Sequence, residues 1–286
     1  MSNRQSARTD GKSLLSGISS GTAAACLLTL VFLIANTAGV CQAEEISVKL
    51  LNFYTSSYYS TGETSDILAS YLTVNLPRFN KVWFGYQSLH YHMPYGFLGG
   101  SYKEEFHTMG GYFVYNDRIS YQADYFFMSN SLSLLSEIVG GEVFYRMDPQ
   151  LAAGLGFYSA ALPFYHVNQT SLRLYYTPPG AMRFTTKVYF ANASDSRLGT
   201  AVQEKIDLAL SPSLSLQLSG ATGKRINCID NDVSNFYTNL ETLNSSYGAQ
   251  ITGTAAASLD VTAGWYRDNF DRYWVNKYYG GITIRF

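Results

Sequence analysis

From about residue 47 to the last residue the chain alternates apolar and polar positions with a period of two, the pattern of strands with one oily and one wet face. Leu214, Leu216 and Leu218 alternate with Ser213, Ser215, Gln217 and Ser219. Leu259, Val261, Ala263 and Trp265 oppose Ser258, Asp260, Thr262, Gly264 and Tyr266, and Met182, Phe184, Val188 and Phe190 oppose Arg183, Thr185, Lys187 and Tyr189. Over 119–127, Ile119, Tyr121, Ala123, Tyr125 and Phe127 are set against Ser120, Gln122, Asp124 and Phe126. The faces of Trp83 to His92 and of Phe106 to Tyr115 are not assigned by pattern. A soluble sandwich also alternates, but its outward face is polar, whereas here the apolar face ends in aromatics near the turns.

Turn chemistry divides the strands a second way. Tight turns are predicted at Pro77–Asn80, Asn116–Arg118, Met147–Gln150, Thr177–Gly180, Ser211–Ser213 and Ala255–Ser258. Between them lie longer polar or glycine-rich stretches: Ser60–Ser65, Pro94–Glu104, Asn130–Leu135, Ala160–Pro163, Ala193–Gly199, Lys224–Thr238 and Arg267–Arg272. Short and long connections alternate, as in transmembrane barrels with short periplasmic turns and long external loops. The expected fold is therefore all-β, an antiparallel up-and-down barrel of about fourteen strands, with twelve as the alternative. Both ends of the barrel chain then fall on the periplasmic side.

The first forty-odd residues are of another kind. Arg4, Arg8 and Lys12 precede an apolar run, Ala23 to Ala35, and Cys41-Gln42-Ala43 is a small-x-small triplet of the type cleaved by signal peptidase. Residues 1–43 are read as a signal peptide and 44–286 as one barrel domain. Gly21 to Val40 is almost long enough for an uncleaved anchor. Lipidation at Cys41 would need a small residue where Val40 stands.

Composition narrows the class further. The chain has 24 Tyr, 17 Phe and 3 Trp, a usage suited to membrane interfaces and wet barrel walls. Its 20 basic and 21 acidic residues give no clustered positive excess, which excludes nucleic acid as a partner. With Cys26 and Cys41 in the leader, Cys228 stands alone and makes neither an internal disulfide nor a cysteine metal site.

At the carboxyl end Tyr278, Gly280, Ile282, Ile284 and Phe286 face one way, and Tyr279, Gly281, Thr283 and Arg285 the other. This resembles the terminal strand of Gram-negative outer-membrane β-barrels, and the resemblance implies that Gly281, Ile284 and Phe286 form the signal read by the barrel assembly machinery. Length and strand number look like the small monomeric porins, and Tyr247 to Phe286 is similar to YaiO-type barrels. The resemblance further implies an outer-membrane location, contact with outer-membrane lipid and lipopolysaccharide, and passage of small hydrophilic solutes.

Candidate chemistry is sparse. The face assigned to the interior carries Glu142, Arg146, Arg173, Arg183, Lys187, Lys205, Asp207, Asp260, Lys277 and Arg285. Arg173, Arg183 and Lys187 on neighbouring strands would form a basic ladder favouring anions; alternatively Lys205 and Asp207 join cross-strand pairs and the lumen is filled. Ser88, His90 and His92 share one strand face with Asp66 and Glu105 within reach, an incomplete set for a lipid hydrolase, and His107 would complete a trio for a metal ion. The blander account makes the histidines polar lining or rim residues beside Tyr86 and Tyr91, and His166 a loop or strand-end residue. The glycine pairs lack the lysine and helix of a phosphate loop, and Asp230, Asn231 and Asp232 are too few for a calcium loop. No cofactor is expected. The leading expectation is a non-enzymatic pore or envelope component for hydrophilic or anionic solutes; the alternatives are a lipid-active or metal-binding enzyme at His90 and His92, and an envelope-assembly or polysaccharide-export partner. Amino-terminal sequencing of the exported protein is expected to begin at Glu44; a start at Met1 would mean an uncleaved anchor.

Overall fold

A computed structural model of the chain describes residues 46–78, 80–92, 101–132, 134–226, 229–230, 235–236 and 242–286. The expected leader, its cleavage site and Cys228 lie outside the described residues. The strands are β1 (Ser47–Tyr59), β2 (Thr64–Asn75), β3 (Lys81–His92), β4 (Ser101–Val114), β5 (Ile119–Asn130), β6 (Leu135–Arg146), β7 (Leu151–Ala161) and β8 (His166–Tyr176). They continue as β9 (Met182–Ala193), β10 (Leu198–Ser211), β11 (Leu214–Arg225), β12 (Ile229–Asp230), β13 (Asn235–Phe236), β14 (Leu243–Ala256), β15 (Leu259–Phe270) and β16 (Trp274–Arg285).

Fourteen of these close into a barrel in which each strand pairs with its sequence neighbours, while β12 and β13 form a separate two-residue ribbon. Every pairing is antiparallel, and β1 closes on β16 from Lys49↔Arg285 to Tyr59↔Val275. All six predicted short turns lie at one end, with the start of β1 and the end of β16; the longer loops lie at the other. The strands run to 14 residues, beyond the nine to eleven or so that cross a bilayer. That excess corrects the loop boundaries. Ala160 and Arg267–Phe270 are strand because pairing continues beyond the span needed to cross lipid, as are Lys224 and Arg225 at the end of β11.

Burial is inverted relative to a water-soluble protein. Leu68 on the outer face is 59% exposed, whereas the inward Glu142 is 2% exposed. Exposed Val139, Leu155, Leu172, Val261 and Ile282 continue the apolar outer wall. Tyrosines flank it: Tyr121, Tyr145 and Tyr176 toward the short-turn end, Tyr54, Tyr58 and Tyr278 toward the long-loop end. This is the apolar band with aromatic girdles of a membrane barrel.

Inside, large rings lie flat across glycines of neighbouring strands. Tyr71 covers Gly85, Trp83 covers Gly110, Tyr158 covers Gly140, Tyr266 covers Gly248 and Tyr279 covers Gly264; in each case an added Cβ would collide with the ring. Gly110 and Gly140, each from a glycine pair of the sequence, thus make room for aromatics, while Gly99 and Gly100 lie outside the described residues. The β2–β3 turn is tight enough to place Arg78 at φ 61°.

The folded barrel is expected to migrate faster than the boiled chain on a denaturing gel. Gly140→Val, which forces a branched side chain against the Tyr158 ring and the Phe157 carbonyl, is expected to lower stability by about 1–3 kcal/mol, measured by urea unfolding in lipid vesicles.

Candidate functional site: the lumen

The inward positions on β5 to β10 hold a buried layer of charge. Glu142 on β6 accepts a hydrogen bond from Arg173 Nη2 at 3.1 Å and one from Ser171 Oγ at 3.2 Å, and Lys187 Nζ lies 3.0 Å from the same oxygen. Arg173 and Lys187 are register partners on β8 and β9, so one carboxylate serves two adjacent cations. Between Glu142 and Ser171 the intervening strand has Gly156, where a Cβ would sit 2.6 Å from both side chains. The missing side chain is the corridor through which the carboxylate reaches β8.

A second knot sits beside it. Asp124 accepts hydrogen bonds from Tyr158 OH at 2.8 Å and from Gln122 Nε2 at 3.0 Å. Tyr189 donates to Gln203, with Lys187 and Arg225 over its ring at 4.9 and 5.0 Å. Burying ions costs several kcal/mol each unless pairing and hydrogen bonds compensate. Here they do.

Toward the long-loop end this layer gives way to apolar packing of Phe126, Ile138, Tyr158, Tyr165, Val167 and Ile226, and Leu243, Phe270 and Val275 on the neighbouring strands β14 to β16 pack against Tyr59 and Tyr273. In the β9–β10 loop the Arg197 guanidinium loses some hydration, but hydrogen bonds to Tyr165 and Asp195 outweigh that loss and raise its pKa. A cavity of about 240 Å³ opens here beside Tyr102, Glu104 and Phe164. On β14 to β16 inward residues such as Gln250, Thr252, Thr262 and Tyr279 keep partial exposure. Partial exposure on these strands is confined to their middle and short-turn parts, since Leu243, Asp268, Phe270 and Val275 are buried at the long-loop end.

Toward the short-turn end the lumen widens into a cavity of about 680 Å³. Lys81, Arg118, Arg146, Arg183 and Lys205 line it against Asp117 and Asp148. Arg183 is bound by Asp207 through two hydrogen bonds, of 2.9 and 2.6 Å, and Gln217 donates to the other oxygen at 2.6 Å. Asp148 is turned to its own loop, accepting the Gln150 and Leu151 amides at 2.7 and 2.8 Å. The balance at this mouth is positive.

The remaining interior candidates form local pairs: Lys277 with Asp268 at 2.6 Å, and Arg285 with Asp260, to which Thr254 also donates. The structure divides the expected basic ladder: Arg173 and Lys187 share the single carboxylate of Glu142, and Arg183 pairs with Asp207. Pattern reading had not singled out Asp124, Arg225, Asp268, Lys81 or Arg118. Asp124 and Asp268 carry a legible signal, a charge at an inward position of an alternating strand. Lys81 and Arg118 sit at strand ends, where period two says little.

Ser88, His90 and His92 point outward. His90 is therefore not lumen lining, and Tyr91 is on the opposite face from His90 and His92, against Tyr59 at 5.2 Å. Alternation through β2 to β4, set by inward Tyr71, Gln87 and Tyr112, places them there. Ser88 Oγ is 3.3 Å from His90 Nε2, yet Asp66 lies by His92, at 3.8 Å, and receives Tyr54 OH at 2.5 Å. Serine and carboxylate thus address different imidazoles. Glu105 takes Lys103 at 2.7 Å and Tyr86 at 3.1 Å, and His107 lies between Tyr86 and Phe127. Among the described residues no three His, Cys, Asp or Glu converge as metal ligands. His166 opens β8 at the long-loop end.

Glu142→Ala leaves two buried cations without their anion, so it is expected to destabilise the barrel by about 3–5 kcal/mol in urea titrations of vesicle-embedded protein. Replacing Glu142, Arg173 and Lys187 together by Leu, Met and Met is expected to recover most of that loss.

No protein-family model matches the chain, and no curated protein matches it. Among solved structures, the CymD monoaromatic hydrocarbon channel is similar over 90% of this chain and 91% of its own, with 7% identity and a TM-score of 0.57. A bacterial polysaccharide outer membrane secretin is similar over 84% of this chain and 98% of its own, with 10% identity and a TM-score of 0.51. The Acinetobacter baumannii outer membrane protein Omp33 aligns over 85% of this chain and all of its own, at 12% identity and a TM-score of 0.49. At these identities the likeness is one of fold: the chain is a closed fourteen-stranded antiparallel barrel, similar in fold to these channel and outer-membrane proteins.

Proposed function

We propose that the protein is an outer-membrane pore for small hydrophilic solutes, with a preference for anions. The observation that carries this reading is the basic cavity at the short-turn end of a barrel whose outer wall is apolar. A ring of cations at a mouth raises the local concentration of anions and lowers their barrier to entry. The short-turn end is assigned to the periplasm, because short turns face that side in such barrels. The same reading includes export by the leader, insertion through the assembly machinery at Gly281, Ile284 and Phe286, and an outer wall in contact with lipid and lipopolysaccharide. Phe286 suits the assembly role by exposure: it is 72% exposed, while its amide stays bonded to the Val48 carbonyl at 2.9 Å.

The apolar clusters and the buried ions narrow the lumen, so the pore is expected to be a restricted one. Planar bilayers with a salt gradient are expected to show small conductance steps and an anion-selective reversal potential. Arg146→Glu with Lys205→Glu is expected to change the sign of that potential. His90→Ala and His92→Ala, on the outer wall, are expected to leave it unchanged. A heat-modifiable barrel that never conducts overturns the pore.

A further inference from the structure

The short-turn cavity has more in it than charge. Tyr112, Phe144 and Tyr175, inward on β4, β6 and β8, stand in a row with ring centroids 6.0 Å apart at each step. Each ring of the row also carries a cation. Arg173 lies over Phe144 and Tyr175 at 5.9 and 5.5 Å, and Lys81 lies over Tyr112 at 5.5 Å. Gly154 makes the space for the middle ring, since a Cβ there would come within 2.9 Å of Phe144.

Two residues from Phe144 along β6, Arg146 lines the same cavity. Its guanidinium makes no ion pair or side-chain hydrogen bond among the described residues, unlike Arg173 and Arg183. An arginine left available beside a strip of aromatic faces is the pairing that recognises a carboxylate borne on a ring: the planar fork takes the two oxygens, and the ring face lies against the aromatics. A simple inorganic anion would have no use for the strip, and a neutral ring none for the cation. The volume, about 680 Å³, falls in the range of small-ligand sites.

We propose that this cavity is a saturable binding site for ring-bearing carboxylates, with Arg146 holding the carboxylate and Tyr112, Phe144 and Tyr175 the ring. Such a ligand is either a sugar acid or an aromatic acid. The inference rests on the pore reading for the route by which the ligand arrives, but binding itself needs no conduction.

The test is isothermal titration of the detergent-solubilised, full-length mature barrel with glucuronate, benzoate, glucose and acetate. Glucuronate or benzoate is expected to bind saturably, the preferred acid identifying the ring, while glucose and acetate bind at least tenfold more weakly. Arg146→Ala is expected to weaken the preferred acid by about tenfold, the loss of a charged hydrogen-bonding partner, and Phe144→Leu to remove the advantage over acetate. Gel migration of unboiled samples confirms that both variants are folded. Equal binding of glucose, equal binding of acetate, or no saturable binding of either acid overturns the proposal, as does an unchanged affinity in folded Arg146→Ala. A barrel that binds the acid without conducting overturns the pore and leaves the site; one that conducts without binding does the reverse.

Discussion

The pairing of β1 with β16 is the constraint that governs everything else in the molecule. In hydrocarbon an unpaired peptide group costs several kcal/mol, so a sheet survives there only without edges. The register from Lys49↔Arg285 to Tyr59↔Val275 removes the last edge. Closure also fixes the side to which each side chain points: alternation along fourteen strands sends Leu, Val and Ile outward, and gathers Gln, Arg, Lys and Glu inside.

That concentration of polar groups in a confined lumen sets the second problem, how to accommodate buried charge without destabilising the barrel. The answer is steric as much as electrostatic. Gly156 lets Glu142 reach past its neighbouring strand to Arg173 and Lys187, and Gly140 lets Tyr158 lie down to meet Asp124. The wall is thinned wherever a large inward group must cross it. As a result the charged layer on β5 to β10 is buried, while inward residues at the middle of β14 to β16 keep partial exposure and the short-turn end opens into a cavity.

The outer wall obeys a different rule. Charged groups facing the centre of a bilayer are destabilising by a few kcal/mol and near its edges by little. Asp66, His90, His92, Lys103 and Glu105 all lie within a few residues of the long-loop ends of β2 to β4, where that penalty is small. Their mutual contacts are those of an interfacial polar patch, and the division of Asp66 and Ser88 between two imidazoles argues against a hydrolytic relay.

Period-two alternation and the alternation of short and long connections by themselves determined the barrel, its fourteen strands and the common side of its chain ends, because both are local properties repeated along the chain. The burial of Glu142, Arg173 and Lys187 on one face of their strands was legible for the same reason. Partners were not. Whether Arg173 met Glu142 or Asp207, whether His90 faced lipid or lumen beside Tyr86 and His107, and whether Arg146 lay beside an aromatic row were decided only by register and by glycine gaps two strands away. Those depend on how separate strands are brought side by side, which no single strand encodes.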